Sequence, residues 1–267
     1  MRPLALDKHL PKSRDFPNSS TQQPRCDPPK RHRGYIQGRD RSGCRFFSLG
    51  SSWNPLMGLF LSMSGVIGKD VAAVQAALAA YAVEKEGEFG EAERTTDDDD
   101  CLVLAGEGDR VSILYPYEFF DWDAASQYLS RALDTPVFSL HIHDEDLWMY
   151  LLFRKGQVID SFNPTPDYWD ESLSEKEMAE WAGDAKVVAE AAPGLDPDEI
   201  EKYLIRWDDA LFDEERKAYE DDEFPAPDCW QMLDFMKKLG LTYPITADGE
   251  IEGATFRFVC ETKGEGV

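Results

Sequence analysis

The stretch VFSLHIHDEDLWMYLLFRKGQVIDSF, residues 137–162, contains three largely apolar segments separated by two polar turns. Apolar and polar side chains alternate along residues 137–143, which is the period of a strand. We expect 137–143 to pair with 146–153 around a turn centred at Asp144-Glu145. A second turn at 154–157 then leads into a third strand, so the stretch predicts an antiparallel meander.

The alternation also predicts the register of the first two strands. With this turn, six apolar residues share one face, in the pairs Ile142–Leu147, Leu140–Met149 and Phe138–Leu151. The other face carries the pairs His143–Asp146, His141–Trp148 and Ser139–Tyr150. Because a shift of one residue would mix the two sets, we predict that His141, Trp148 and Tyr150 lie on one face.

Outward from the meander, the remaining pattern predicts the order β-α-ββ-α-βββ, followed by a mostly helical last third. The preceding elements are a strand at 58–66, an amphipathic helix at 69–85, a hairpin at 101–115 and a helix at 121–133. The segment 86–100 is predicted to be a polar loop. The later elements are helices at 174–192, 196–211 and 228–239, with a final short strand near 254–261. The prediction is a single-domain α+β fold, an antiparallel sheet packed by amphipathic helices.

Charge divides the chain into two segments. The formal net charge is −24, yet residues 1–56 contain eleven Lys/Arg and four Asp/Glu. The rest therefore holds 17 of the 28 basic and 48 of the 52 acidic residues. Rich in Pro, Arg, Ser and Gln, 1–56 is predicted to be a disordered basic extension, or an artefact if the chain starts at Met57. We expect an acidic α+β domain at 57–245 and a tail at 246–267.

Several function classes are disfavoured by composition and by missing motifs. The five cysteines are widely spaced without a CxxC pair, which is typical of a reducing compartment and predicts a cytoplasmic protein. No apolar run of membrane-spanning length occurs. The acidity of 57–267 repels nucleic acid and anionic membranes, and is compatible with a basic protein as partner or simply with solubility. No Gly-x-Ser-x-Gly, GxGxxG or Walker A motif is present.

One candidate metal site lies in the meander. His141 and His143 are spaced at i and i+2, which places both imidazoles on one strand face, and Asp146 follows in the turn. No third histidine occurs in 57–267, so only a site of two histidines and a carboxylate remains. The alternative is a polar strand face with a charge contact between His143 and Asp146. We predict no cofactor from a motif, with a divalent metal here as the one alternative.

Two candidate binding surfaces follow from the aromatic residues. The loop FNPTPDYWDE, residues 162–171, is stiffened by two prolines and carries Tyr168 and Trp169. These rings either form a recognition surface or cap the sheet as core residues. Trp148 and Tyr150, on the predicted face of His141, offer a small-ligand surface if helices do not cover it.

Three functions remain open. The leading one is a non-catalytic protein-interaction module, and in charge and size alone the chain is similar to small acidic immunity or inhibitor proteins. The alternatives are a metal-dependent hydrolase or lyase using His141, His143 and Asp146, and a small-ligand binding module.

Overall fold

The computed structural model describes residues 59–92, 101–117, 119–208, 211 and 216–260. The basic segment 1–56 and the alternative start at Met57 lie outside these residues, so both remain predictions. The described strands are β1 Leu61–Ile67, β2 Glu88–Glu91, β3 Cys101–Glu107, β4 Arg110–Leu114, β5 Val137–His143, β6 Leu147–Arg154, β7 Gln157–Phe162 and β8 Ala254–Val259. The described helices are α1 Val71–Glu84, α2 Trp122–Ala132, α3 Glu175–Ala179, α4 Ala185–Ala191, α5 Pro197–Ile200 and α6 Gln231–Lys238.

The eight strands form one sheet in the order β2-β8-β3-β4-β1-β5-β6-β7, and every neighbouring pair is antiparallel. The predicted mixture of helices with an antiparallel sheet is therefore confirmed. The prediction of a loop was wrong at 88–91, where β2 pairs with β8 and Phe89 stacks on Phe256 at 4.9 Å. Its partner strand is far along the chain, so the local pattern could not reveal it.

Helices cover both faces of the sheet. Buried residues of α1 and α2 pack with one face, and residues of α4 to α6 pack with the other. The side chains of β1 alternate between the two faces. Val66 packs on the face covered by α1 and α2, and Met63 packs on the face covered by α4 to α6. At Gly65 a Cβ would collide with Leu241 Cδ1, so any larger residue here would force the Leu241 side chain, in the segment after α6, to shift.

The helices of the last third are shorter than predicted. The capping box of Ser174 and Glu177 is present, but α3 ends at Ala179 and a separate helix, α4, begins after Asp184. Gly183 adopts a φ of +71°, a left-handed conformation that interrupts the helix between them. Within 196–211 the described helical residues are α5, Pro197–Ile200, and Leu211, and the described residues 201–208 between them are not helical.

The β5–β6 register differs from the prediction by one residue. Ile142 pairs with Trp148 and Leu140 with Tyr150, so the turn comprises three residues, 144–146, and closes with Asp146 N–H donating to His143 O at 2.9 Å. The predicted register was wrong because β6 is apolar on both sides. Leu147, Trp148, Tyr150 and Leu152 are all buried, so alternation alone could not select a face.

Candidate functional site

A continuous series of rings crosses the surface where β5 ends and α2 begins. Phe120 lies 6.5 Å from Trp122, and Trp122 stacks on His141 at 4.6 Å between ring centroids with an interplanar angle of 12°. His141 lies 5.8 Å from His143, which in turn contacts the rings of the 163–173 loop. We call Phe120, Trp122, His143, Tyr168 and Trp169 the aromatic patch.

His143 is the centre of the patch. Its imidazole meets three rings edge-on, with centroid distances of 4.9 Å to Phe60, 5.7 Å to Tyr168 and 5.0 Å to Trp169. Burial lowers the pKa of His143 below its ordinary value, whereas the charges of Asp144 and Asp146 act in the opposite direction. The imidazole is therefore largely neutral near pH 7.

Three rings of the patch face solvent. Phe120, Tyr168 and Trp169 are 58%, 41% and 53% exposed, values that are high for large aromatic residues. Tyr168 and Trp169 contact each other directly, whereas Phe120 is linked to them through Trp122, the buried His141 and His143. Two adjacent exposed aromatic rings, as at Tyr168 and Trp169, are more typical of a binding site than a single scattered apolar residue is.

The turn 144–146 adds negative charge at the centre of this surface. Asp144 and Glu145 adopt positive φ values of 52° and 63°, and Glu145 N–H donates to Leu59 O at 3.1 Å, which holds the turn against the residues before β1. Asp146 Oδ2 accepts a hydrogen bond from the Tyr168 hydroxyl at 2.7 Å. The acidic turn and the aromatic loop are thus joined directly.

Lysine and arginine are absent from two of the segments that build the patch. Neither 132–153 nor 156–175 contains a lysine or an arginine. Arg206, from outside the 163–173 loop, lies 3.6 Å from the carboxylate of Asp167 in that loop. In the same loop Asp170 accepts hydrogen bonds from the backbone N–H and the hydroxyl of Ser172. Acidic residues therefore outnumber basic ones around Tyr168 and Trp169, although Arg206 offsets Asp167 there and Lys85 pairs with Asp121 beside Phe120. This acidic excess favours a cationic partner.

A buried layer of hydroxyl groups fixes the helix that carries Trp122. The Ser139 hydroxyl donates to Asp123 Oδ1 at 2.6 Å, and Ser64 Oγ lies 2.6 Å from Ser126 Oγ and 2.7 Å from Tyr115 Oη. Burial raises the pKa of Asp123, and the hydrogen bond from Ser139 opposes that shift. These bonds tie the first turn of α2 to β1 and β5, and so position Trp122 against His141.

His141 is a buried, neutral member of the series. Its Nδ1 lies 3.0 Å from Ser62 Oγ, and only 4% of the residue is exposed. Burial, reinforced by His143, lowers the pKa of His141 to about 3. A group with so low a pKa accepts a hydrogen bond but is a poor general base near pH 7, so the contact with Ser62 gives little support for nucleophilic catalysis.

The geometry brings His141 and His143 onto one face but does not gather the predicted metal ligands. Asp146 is exposed in the turn and bonded to Tyr168, while His141 Nδ1 is engaged with Ser62. Within the part of the chain that the structure describes, no group of three or more His, Cys, Asp or Glu side chains could hold a metal ion. The metal site remains a prediction without geometric support.

Trp148 and Tyr150 lie on the opposite face from His141. Both are buried against Phe235 of α6, with ring centroids at 5.1 Å and 5.4 Å, and the Tyr150 hydroxyl donates to Asp160 Oδ2 at 2.6 Å. Helices cover that face, so these two residues do not line a surface for a small ligand. The shift in register is the reason for the difference from the prediction.

Sequence reasoning missed three residues of the site, namely Phe60, Phe120 and Trp122. For Phe120 and Trp122 the signal was the aromatic run FFDWD, residues 119–123, which overlaps the start of the predicted helix, whereas Phe60 lies in the predicted first strand. Nothing local in that run shows which strand end it adjoins. Tyr168 and Trp169, in contrast, were identified from the sequence. Both are exposed, which agrees with the alternative of a recognition surface and not with that of core residues.

Comparisons with known proteins identify no relative: no family model, curated protein or solved structure matches this chain. None of the described helices is both long and apolar enough to cross a membrane. The function must therefore be argued from the site alone.

Proposed function

We propose that this protein is a non-catalytic interaction module that binds a basic protein on the aromatic patch and its acidic turn. The observation that carries the proposal is that the exposed rings of Tyr168 and Trp169 contact each other and that the Tyr168 hydroxyl binds Asp146 of the acidic turn. Exposed aromatic residues provide the desolvated centre of an interface, where most of the binding energy arises.

Charge supports the identity of the partner. An acidic surface attracts a basic protein over long distances and accelerates association, while repelling acidic proteins and nucleic acid. Cations near tryptophan and tyrosine rings gain cation–π stabilisation of about 0.5–2 kcal/mol each. Rings and carboxylates on one surface are therefore suited to the lysine and arginine side chains of a partner.

The test measures binding of a defined probe, a 16-residue peptide of mixed lysine and arginine, by titration calorimetry at near-physiological salt. We expect the double variant Tyr168→Ser/Trp169→Ser to bind about tenfold more weakly, the equivalent of about 1.4 kcal/mol. The matched control is Val83→Ser/Ile159→Ser, which removes two large apolar side chains that are 76% and 38% exposed elsewhere.

A second pair of variants separates the patch from the general acidity of the chain. Asp144→Asn/Asp146→Asn and Asp248→Asn/Glu250→Gln remove the same charge, from the turn and from another exposed loop. We expect the first pair to weaken binding more than the second. Equal affinities for both pairs, together with no effect of the ring variant, would refute the proposal, because binding would then depend only on net charge.

A further inference from the structure

We propose that the partner group recognised by the patch is the guanidinium of an arginine, in preference to the ammonium of a lysine. This inference rests on the proposed function and specifies the chemistry of the same site. It is carried by the arrangement of Tyr168, Trp169 and Asp146, in which flat ring surfaces and a carboxylate occur together.

The two exposed rings form a corner. The centroids of Tyr168 and Trp169 are 5.0 Å apart and their planes are inclined by 74°. Each ring also contacts His143 edge-on, which restricts its rotation. The corner therefore presents preformed planar surfaces on which a planar cation can stack.

The carboxylate of Asp146 is held at the edge of this corner. The Tyr168 hydroxyl donates to Oδ2 at 2.7 Å, which fixes the carboxylate relative to the ring. A carboxylate offers about four acceptor positions, so this bond leaves acceptor capacity for a partner. A stacking surface and a hydrogen-bond acceptor are thus side by side.

These two features together favour arginine. A guanidinium stacks on an aromatic face and, in its own plane, donates paired hydrogen bonds to a carboxylate. An ammonium lacks a planar surface and retains its hydration more strongly. Lysine would gain the charge attraction but not the combination of stacking and in-plane hydrogen bonding.

The experiment compares two peptides of equal length and charge, alternating Arg-Gly and alternating Lys-Gly, titrated into the full-length protein at the same salt concentration. We expect the arginine peptide to bind about fivefold more tightly or better. Tyr168→Phe keeps the ring but removes the hydroxyl that positions Asp146, so the preference should fall towards unity. Tyr117→Phe is the matched control, since Tyr117 is also exposed, at 47%, and should leave the preference unchanged.

The outcomes separate this inference from the proposed function. Equal binding of both peptides would overturn the arginine preference, and a preference that survives in Tyr168→Phe would overturn its assignment to the Tyr168–Asp146 arrangement. Either result would leave the interaction module standing. Failure of both peptides to bind would overturn the two proposals together. An arginine preference that is present in the parent and in Tyr117→Phe but lost in Tyr168→Phe would support the assignment.

Discussion

Acidification is expected to destabilise this protein because the fold holds the imidazole of His141 in its neutral form. His141 is 4% exposed, stacks on Trp122 and has a pKa of about 3 in the folded protein. In the unfolded chain the same group returns to a pKa of about 6.5. Between these two values the unfolded state binds a proton that the folded state does not, so stability falls as pH falls.

The magnitude follows from the two pKa values. At about pH 5 the unfolded His141 is almost fully protonated and the folded His141 almost fully neutral, so about 2 kcal/mol of stability is lost relative to about pH 8. His143, whose pKa is also lowered, adds a change of the same sign. Asp123 acts oppositely, because its pKa is raised in the folded state.

The assay is urea unfolding of the full-length protein at several pH values, followed by tryptophan fluorescence. His141→Gln cannot titrate in this range, so between about pH 8 and pH 5 it should lose about 2 kcal/mol less than the parent. His143→Gln is the comparison variant: it removes the contribution of His143 itself but retains His141, whose pKa is lowered mainly by burial, so most of the loss of stability on acidification should remain. Identical pH dependence in the parent and in His141→Gln would show that the imidazole is accessible to protons in the folded state, and would refute the reasoning.

Two further predictions concern the core and the meander. Gly65→Ala should lower the free energy of unfolding by about 1–3 kcal/mol, because the new Cβ collides with Leu241. The double variant Gly65→Ala/Leu241→Ala should lose less stability than the sum of the two single variants. Strict additivity in urea unfolding would contradict this contact. Protein purified without chelator should contain the same trace metal, by elemental analysis, as His141→Ala/His143→Ala, because Asp146 is bonded to Tyr168 rather than directed at the imidazoles. Stoichiometric metal lost in that variant would restore the metal site.

Local chemistry was sufficient for the elements whose signal lies within one segment. Helix α1 begins after Asp70, whose carboxylate accepts from Ala73 N–H at 2.8 Å, and it buries Val74, Leu78 and Tyr81 as their helical spacing predicts. The β5–β6 hairpin was predicted for the same reason, since its turn and both strands are adjacent.

The register and the edge of the sheet required tertiary information. A strand with helices on both sides is apolar on both sides, so the pattern of β6 is compatible with either register, and a three-residue turn selects the observed one. Strand β2 exists because β8 pairs with it, and no local pattern encodes a partner so distant.

By itself, the sequence determined an acidic α+β chain with a hairpin at the two histidines. For Tyr168 and Trp169 it left two alternatives open, an exposed recognition surface or core residues that cap the sheet. Only the tertiary structure decided that this pair and the Phe120-Trp122 run meet at the same strand end. The physical reason is that the aromatic patch combines segments from either side of the meander. Their proximity arises from packing of α2 and the 163–173 loop on the sheet, which depends on contacts distant in sequence.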